Sequence, residues 1–118
     1  MRKKVVRGDI FYANLQKGLG SEQQGYRPVL IIQNNVGNRY SSTTIIVPIT
    51  GKVDEKADVP THCILENITG LEIPSMVLSE QIMTVDKSRL RRYVGQVEKE
   101  DMIRIERALK VSIGLCQE

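Results

Sequence analysis

The stretch Arg27-Pro28-Val29-Leu30-Ile31-Ile32-Gln33-Asn34, answered after a short polar segment by Thr43-Thr44-Ile45-Ile46-Val47-Pro48-Ile49, decides the fold. Each is a continuous apolar run of strand length, as expected of a strand covered on both faces. Pro28 is expected to open its strand, because a proline inside a sheet removes a ladder donor. Asn35-Val36-Gly37-Asn38-Arg39-Tyr40 reads as the turn between the two runs. If the runs form an antiparallel hairpin centred on Gly37 to Tyr40, the numbers of facing residues sum to about 77. Arg27 then faces Thr50 on the same side of the sheet, with the two backbones ~5 Å apart. A slip of one residue would put them on opposite faces.

Working outward, Gly8 to Asn14 reads as a strand of β-favouring residues between turn formers. Leu15 to Tyr26 holds Gly18, Gly20 and Gly25 with almost no apolar periodicity, and reads as a loop of unusual length for a small domain. Further strands are expected at Thr61 to Glu66 and Ser75 to Glu80, with a weaker one near Tyr93 to Val97. Lys99 to Cys116 is the one helix. Met102, Ile105, Leu109, Ile113 and Cys116 form a single stripe, and Glu98, Glu100 and Asp101 complement the helix dipole at its start. Strands first and a helix last, without βαβ alternation, predict a mostly β protein with a C-terminal helix. The expected form is a small, strongly curled, antiparallel barrel occupying residues 1–118 as one domain.

The composition excludes several chemistries. With 118 residues there is room for one core, and 41% hydrophobic with 26% charged residues is ordinary globular usage. No apolar run approaches the ~20 residues of a membrane span, and no apolar segment follows the basic N-terminus, so neither a membrane location nor a secretion signal is expected. Cys63 and Cys116 lack metal-type spacing and read as reduced thiols of a cytoplasmic protein. His62 is the single histidine, which rules out a histidine pair or a histidine-rich metal site within one chain. Phosphate-binding and dinucleotide-binding glycine motifs are also absent. Any catalysis must run on Arg, Thr, Ser, Glu, Gln and Tyr, and no motif for a cofactor or a metal is visible, so neither is expected.

Net charge is +3, from 17 basic and 14 acidic residues. The basic excess lies in two clusters, one of Arg2, Lys3, Lys4 and Arg7, the other of Lys87, Arg89, Arg91 and Arg92. If they share a face they make a modest phosphate-binding surface; otherwise they are solubilising charge at a terminus and a loop. With four tyrosines and one phenylalanine, a broad base-stacking platform is not expected. The Arg27/Thr50 pair suits a phosphodiester. Arginine offers a planar fork of donors to phosphate oxygens, and a threonine hydroxyl can donate to the same centre. RNA supplies its own nucleophile, the 2′-OH, so positioning and charge stabilisation could carry the reaction. Read as packing alone, Arg27 would make a structural salt bridge and Thr50 would end a strand.

The segments Arg7-Gly8-Asp9-Ile10-Phe11-Tyr12-Ala13 and Gly20-Ser21-Glu22-Gln23-Gln24-Gly25-Tyr26-Arg27-Pro28-Val29 strongly resemble the MazF/PemK toxins, the ribonuclease halves of bacterial toxin–antitoxin modules. The likeness continues through Asn34 to Asn38, Val47-Pro48-Ile49-Thr50, Pro60-Thr61-His62 and Ser79 to Asp86, and it looks closest to the MazF/EndoA type of Gram-positive bacteria. It implies an SH3-like (CcdB/PemK-type) barrel forming a homodimer. It also implies a toxin of a type II module, a sequence-specific and metal-independent endoribonuclease (mRNA interferase). Such an enzyme cuts single-stranded RNA by 2′-OH attack, leaving a 2′,3′-cyclic phosphate and a 5′-OH.

The family's catalytic pair falls on Arg27, as transition-state stabiliser and proton donor to the leaving oxygen, and on Thr50, which positions the scissile phosphate. Neither residue type is a general base near neutral pH, and which group takes the 2′-OH proton is left open. RNA-base recognition falls on Ser21, Glu22 and Gln23 in the first loop and on Glu80 and Gln81. His62 reads as structural. A MazE-like antitoxin with an acidic, partly disordered tail is the implied partner, competing with RNA for the basic groove. The rival from another class is a non-enzymatic CcdB-like barrel that poisons DNA gyrase; a weaker one is a plain nucleic-acid-binding module.

Overall fold

The computed structural model describes residues 4–15, 19–20, 22–53, 59–71 and 73–117 of the chain. At its centre lie three adjacent antiparallel strands, β1 (Asp9–Leu15), β2 (Gly25–Ile31) and β3 (Thr43–Thr50). Val29 faces Pro48, Leu30 faces Val47 and Ile31 faces Ile46, so facing numbers sum to 77, as the hairpin arithmetic expects. Val29, Leu30 and Ile31 are all fully buried, because both faces of the strand are covered. Residues on one face (Ile10, Leu30, Val47, Ile49) pack with Leu65, Val77 and the helix residues Ile105 and Ala108. The other face (Phe11, Ala13, Val29, Ile31, Ile46) packs with Val5, Leu15, Val85 and Leu90.

Four shorter or outer strands complete the sheet: β4 (His62–Leu65), β5 (Ser75–Leu78), β6 (Met83–Asp86) and β7 (Leu90–Gln96). Every pairing is antiparallel, along the path β4-β5-β3-β2-β1-β7 with β6 also on β3. The outer edge of β3 is divided: Thr43 to Ile46 pair with β6, whereas Ile49 and Thr50 pair with β5. One strand serving two partners in succession bends the sheet into a barrel-like shape without closing it.

Pro28 does not open β2; it sits fourth of seven residues, facing Tyr12. Peptide groups alternate in direction along a strand, and the Ile32 amide points toward β3, to the Ile45 carbonyl. The ring nitrogen of Pro28, four residues earlier, therefore faces the same side, beyond the last β2–β3 pair, where no ladder bond is lost. Pro48 obeys the same logic in the gap between β6 and β5.

Other expectations also need correction. The segment read as a turn is a short helix, α1 (Asn35–Tyr40), capped by the Asn34 side chain accepting from the Gly37 amide. Its single turn and a half is too short to leave a period in the sequence. β1 runs on to Leu15 and β2 starts at Gly25, which shortens the predicted loop at both ends. β6 leaves no strand pattern in the sequence, because only Val85 of its four residues is buried. The C-terminal helix α2 (Lys99–Ser112) ends four residues before Cys116, so Ile113 and Cys116 are not part of its stripe. Gly114, at φ +79°, ends it in a left-handed turn in which its own amide bonds Val111 and the Leu115 amide bonds Lys110.

Candidate active site

Arg27 stands near the start of β2, laddered to Ala13 of β1, and Thr50 ends β3, laddered to Met76 of β5. The ladder between β2 and β3 stops two residues short of them, so they are not a bonded pair. They face one another only by continuation of the 77 register across the point where the strands part. Arg27 Nε donates to the Gln24 carbonyl at 2.7 Å. Among the described residues its Nη nitrogens make no ion pair or hydrogen bond, so no structural salt bridge occupies them. The Thr50 hydroxyl, nearly buried, accepts the Lys52 amide at 3.2 Å and keeps its own hydrogen for another acceptor.

The predicted base-reading residues divide. Gln23 and Gln81 come together across 58 positions of sequence: the Gln23 amide donates to Gln81 Oε1 at 3.0 Å. Gln23 Oε1 is buried and has no hydrogen-bond partner among the described residues. Glu80 adjoins this contact and is held from behind, one carboxylate oxygen 2.9 Å from His62 Nε2 and the other accepting from the Thr61 hydroxyl at 3.1 Å. Glu22 turns back on its own loop, accepting from the Leu19 amide at 3.1 Å. Ser21 lies outside the described residues.

His62, read from sequence as merely structural, is therefore a neighbour of a candidate reader. The signal available was the Pro60-Thr61-His62 run, which the fold sets beside Ser79 through the bond from the Ser79 amide to the Thr61 carbonyl.

The basic clusters are thinner than the sequence suggests. Lys87 turns inward, buried, and donates to the Asn38 carbonyl. Arg7 is bound to Glu106 at 2.8 Å, and Arg2 and Lys3 lie outside the described residues. Arg91 and Arg92 are exposed. Asp86 caps the 3₁₀ turn over Lys87–Arg89; hydrogen bonds from the Ser88 amide and hydroxyl hold its carboxyl below the ordinary value. Burial pushes the Cys63 thiol up, and both cysteines are free. No three His, Cys, Asp or Glu side chains converge as a metal-binding group among the described residues, and no described helix is long and apolar enough to cross a membrane.

Fold and site together define a small curled antiparallel β protein that carries an arginine near the start of β2 and, four residues before it, a glutamine joined to the segment holding Glu80 and Gln81. Residues 6–113 match the family described as the PemK-like, MazF-like toxin of type II toxin-antitoxin systems. Endoribonuclease EndoA of Bacillus subtilis is 44% identical over 112 residues, covering 94% of this chain and 96% of that protein. Among solved structures, an endoribonuclease in complex with its cognate antitoxin from a mycobacterial species is 26% identical, with a TM-score of 0.72, covering 99% of this chain and 100% of that one. MazF from Deinococcus radiodurans superposes with a TM-score of 0.81 at 19% identity, over 96% of this chain and 99% of that one, a likeness of fold. The chain belongs to the PemK-like, MazF-like toxin family of type II toxin-antitoxin systems.

Proposed function

We propose that this chain is an endoribonuclease toxin that cuts single-stranded RNA at a short recurring sequence, without a metal ion. The observation that carries this reading is the Arg27 guanidinium at the parted end of the β2–β3 hairpin. It is held by Nε alone among the described residues, and the β2–β3 register, continued two residues past its last pair, brings it opposite Thr50, whose hydroxyl keeps its own hydrogen. That arrangement suits a phosphodiester: two Nη nitrogens for non-bridging oxygens and a hydroxyl donor on the same face.

In the reaction the 2′-oxygen forms a bond to phosphorus and the P–O5′ bond breaks, leaving a 2′,3′-cyclic phosphate and a 5′-OH. The 2′-OH proton passes to a base, and Arg27 delivers a proton to the departing oxygen. Arg27 and Thr50 stabilise the charge that gathers on the phosphate oxygens in the transition state. Gln23, Gln81 and Glu80, with Ser21 and Glu22 of the same loop, read base edges. The chain works as a homodimer in the cytoplasm, restrained by a MazE-like antitoxin whose acidic tail competes with RNA.

The test is incubation of the purified protein with a long single-stranded RNA in EDTA, followed by mapping of fragment 5′ ends. Cuts at one recurring sequence with 5′-hydroxyl ends are expected. Arg27→Ala should lose about 100- to 1,000-fold in rate, and Thr50→Val about tenfold or more, both remaining folded. Dependence on magnesium, or normal cutting by Arg27→Ala, would overturn the mechanism. Intact RNA with the native protein would move the reading to the gyrase-poison class, checked next by supercoiling.

A further inference from the structure

β7 carries one residue more than β1 between two of their pairs. Phe11 faces Tyr93 and Ala13 faces Leu90, so Arg91 and Arg92 together oppose Tyr12. A bulge of this kind re-aims side chains, and here the Arg92 guanidinium lies over the Tyr12 ring, 5.3 Å from its centroid. In the other direction Tyr26 of β2 stacks on Tyr12, with centroids 5.1 Å apart and planes 12° from parallel. Three neighbouring strands thus contribute one layer each to a stack whose repeat is close to the ~4.8 Å strand spacing.

The next place belongs to β3, but β3 pairs with β2 only from Val29 onward. At Tyr26, three residues before the last β2–β3 pair, β3 has already turned to pair with β5 and ends at Thr50. Tyr26 is 58% exposed, and among the described residues no ring or guanidinium occupies its outer face.

We propose that the outer face of Tyr26, backed by Tyr12 and Arg92, is a stacking subsite for one nucleobase of the RNA substrate. The inference rests on the ribonuclease reading and extends it to residues beyond the catalytic pair and the base-reading loop. Three observations favour RNA as the occupant. The rings are nearly parallel, so a base laid on the outer face of Tyr26 would continue a flat stack. The surround is cationic, with Arg91 and Arg92 in the bulge and Arg89 bonded to the carbonyl of Asn14, the residue facing Tyr26. Tyr26 also immediately precedes Arg27. Strand alternation sends Arg27 to the Val29 face and Tyr26 to the opposite face. A nucleotide chain crossing the uncovered end of β2 would set a phosphate on one side and a base on the other. Stacking on a tyrosine is tolerant of base identity, so the subsite adds affinity more than sequence choice.

The test uses wild-type protein and a short RNA carrying the mapped cleavage sequence. Its scissile nucleotide is 2′-deoxy to block cutting, and 2-aminopurine is placed in turn at each flanking position. Fluorescence should be quenched on binding at one position, and Tyr26→Ala should abolish that quench. On the cleavable RNA, Tyr26→Ala should raise KM about tenfold with kcat changed less than twofold, and Tyr26→Phe should restore both. Unchanged KM and quench in Tyr26→Ala would overturn the subsite. So would dissociation of the dimer in sedimentation with activity recovered at high protein concentration, which makes the ring a subunit contact. Weakened antitoxin binding with RNA cleavage intact would overturn it equally. Absence of cleavage by the wild type fails the ribonuclease reading itself, before any variant is compared.

Discussion

Arg27 and Thr50 were legible because their chemistry is conspicuous and their alignment needs only an addition of residue numbers, and the register bears out that addition as far as the strands stay paired. The support beneath Glu80 was not legible: His62 and Thr61 reach it from another strand end, and no local pattern links them. Asp9 illustrates a residue whose cost appears only on folding. It accepts the Val6 amide at 2.9 Å and Gln96 Nε2 at 3.2 Å, yet burial still pushes its carboxyl above the ordinary value. Between the unfolded value and the raised folded one, the native state binds more protons, so stability falls as pH rises through that window and then levels. Asp9→Asn should lack this fall. Urea melts from pH 3 upward should show the difference between wild type and variant drifting in the variant's favour across the window; a constant difference would show that Asp9 does not titrate differently on folding.

The elements are held by local devices that a sequence announces unevenly. The apolar stripe announced α2, but its end was decided by backbone geometry. Gly114 adopts φ +79°, and the amides of Gly114 and Leu115 satisfy the last carbonyls. A Cβ there would meet nothing within 4 Å, so Gly114→Ala should cost only the conformational term, about 1 kcal/mol. Thermal melts should show a fall of roughly 4 °C with cleavage unaffected; no shift would mean that the left-handed cap does not hold the helix end. α1 and β6 are silent in the sequence for a common reason, that each buries too little to leave a hydrophobic period.

At the scale of the molecule, Arg7 joins parts distant in sequence. Its amide donates to the Asn35 side chain at the start of α1, its Nε to the Ile32 carbonyl past the end of β2, and its Nη1 to Glu106 of α2. The ion pair is partly exposed, with side chains 32% and 42% accessible, so solvent screens most of its Coulomb energy and the hydrogen bonds carry the remainder. Arg7→Gln should therefore destabilise the chain by about 1 kcal/mol in a single cooperative transition. Denaturant titration followed by two probes checks this; separate transitions would mean that α2 unfolds apart from the sheet. The same pairing removes Arg7 from the basic surface expected of the N-terminus, as burial removes Lys87 from the second cluster.

The sequence by itself determined the central strands, the C-terminal helix and the register of the β2–β3 pairing. Those follow from apolar pattern, turn chemistry and the two-residue strand period, all of which act between near neighbours. Only the tertiary structure decided that β3 leaves β2 for β5, that Pro28 sits where no ladder bond is required, and that Glu80 leans on His62. The same holds for the bulge that lays Arg92, Tyr12 and Tyr26 in one stack. Each depends on which strand edge is left uncovered and how the sheet curls, and those are properties of the whole packed core rather than of any one segment.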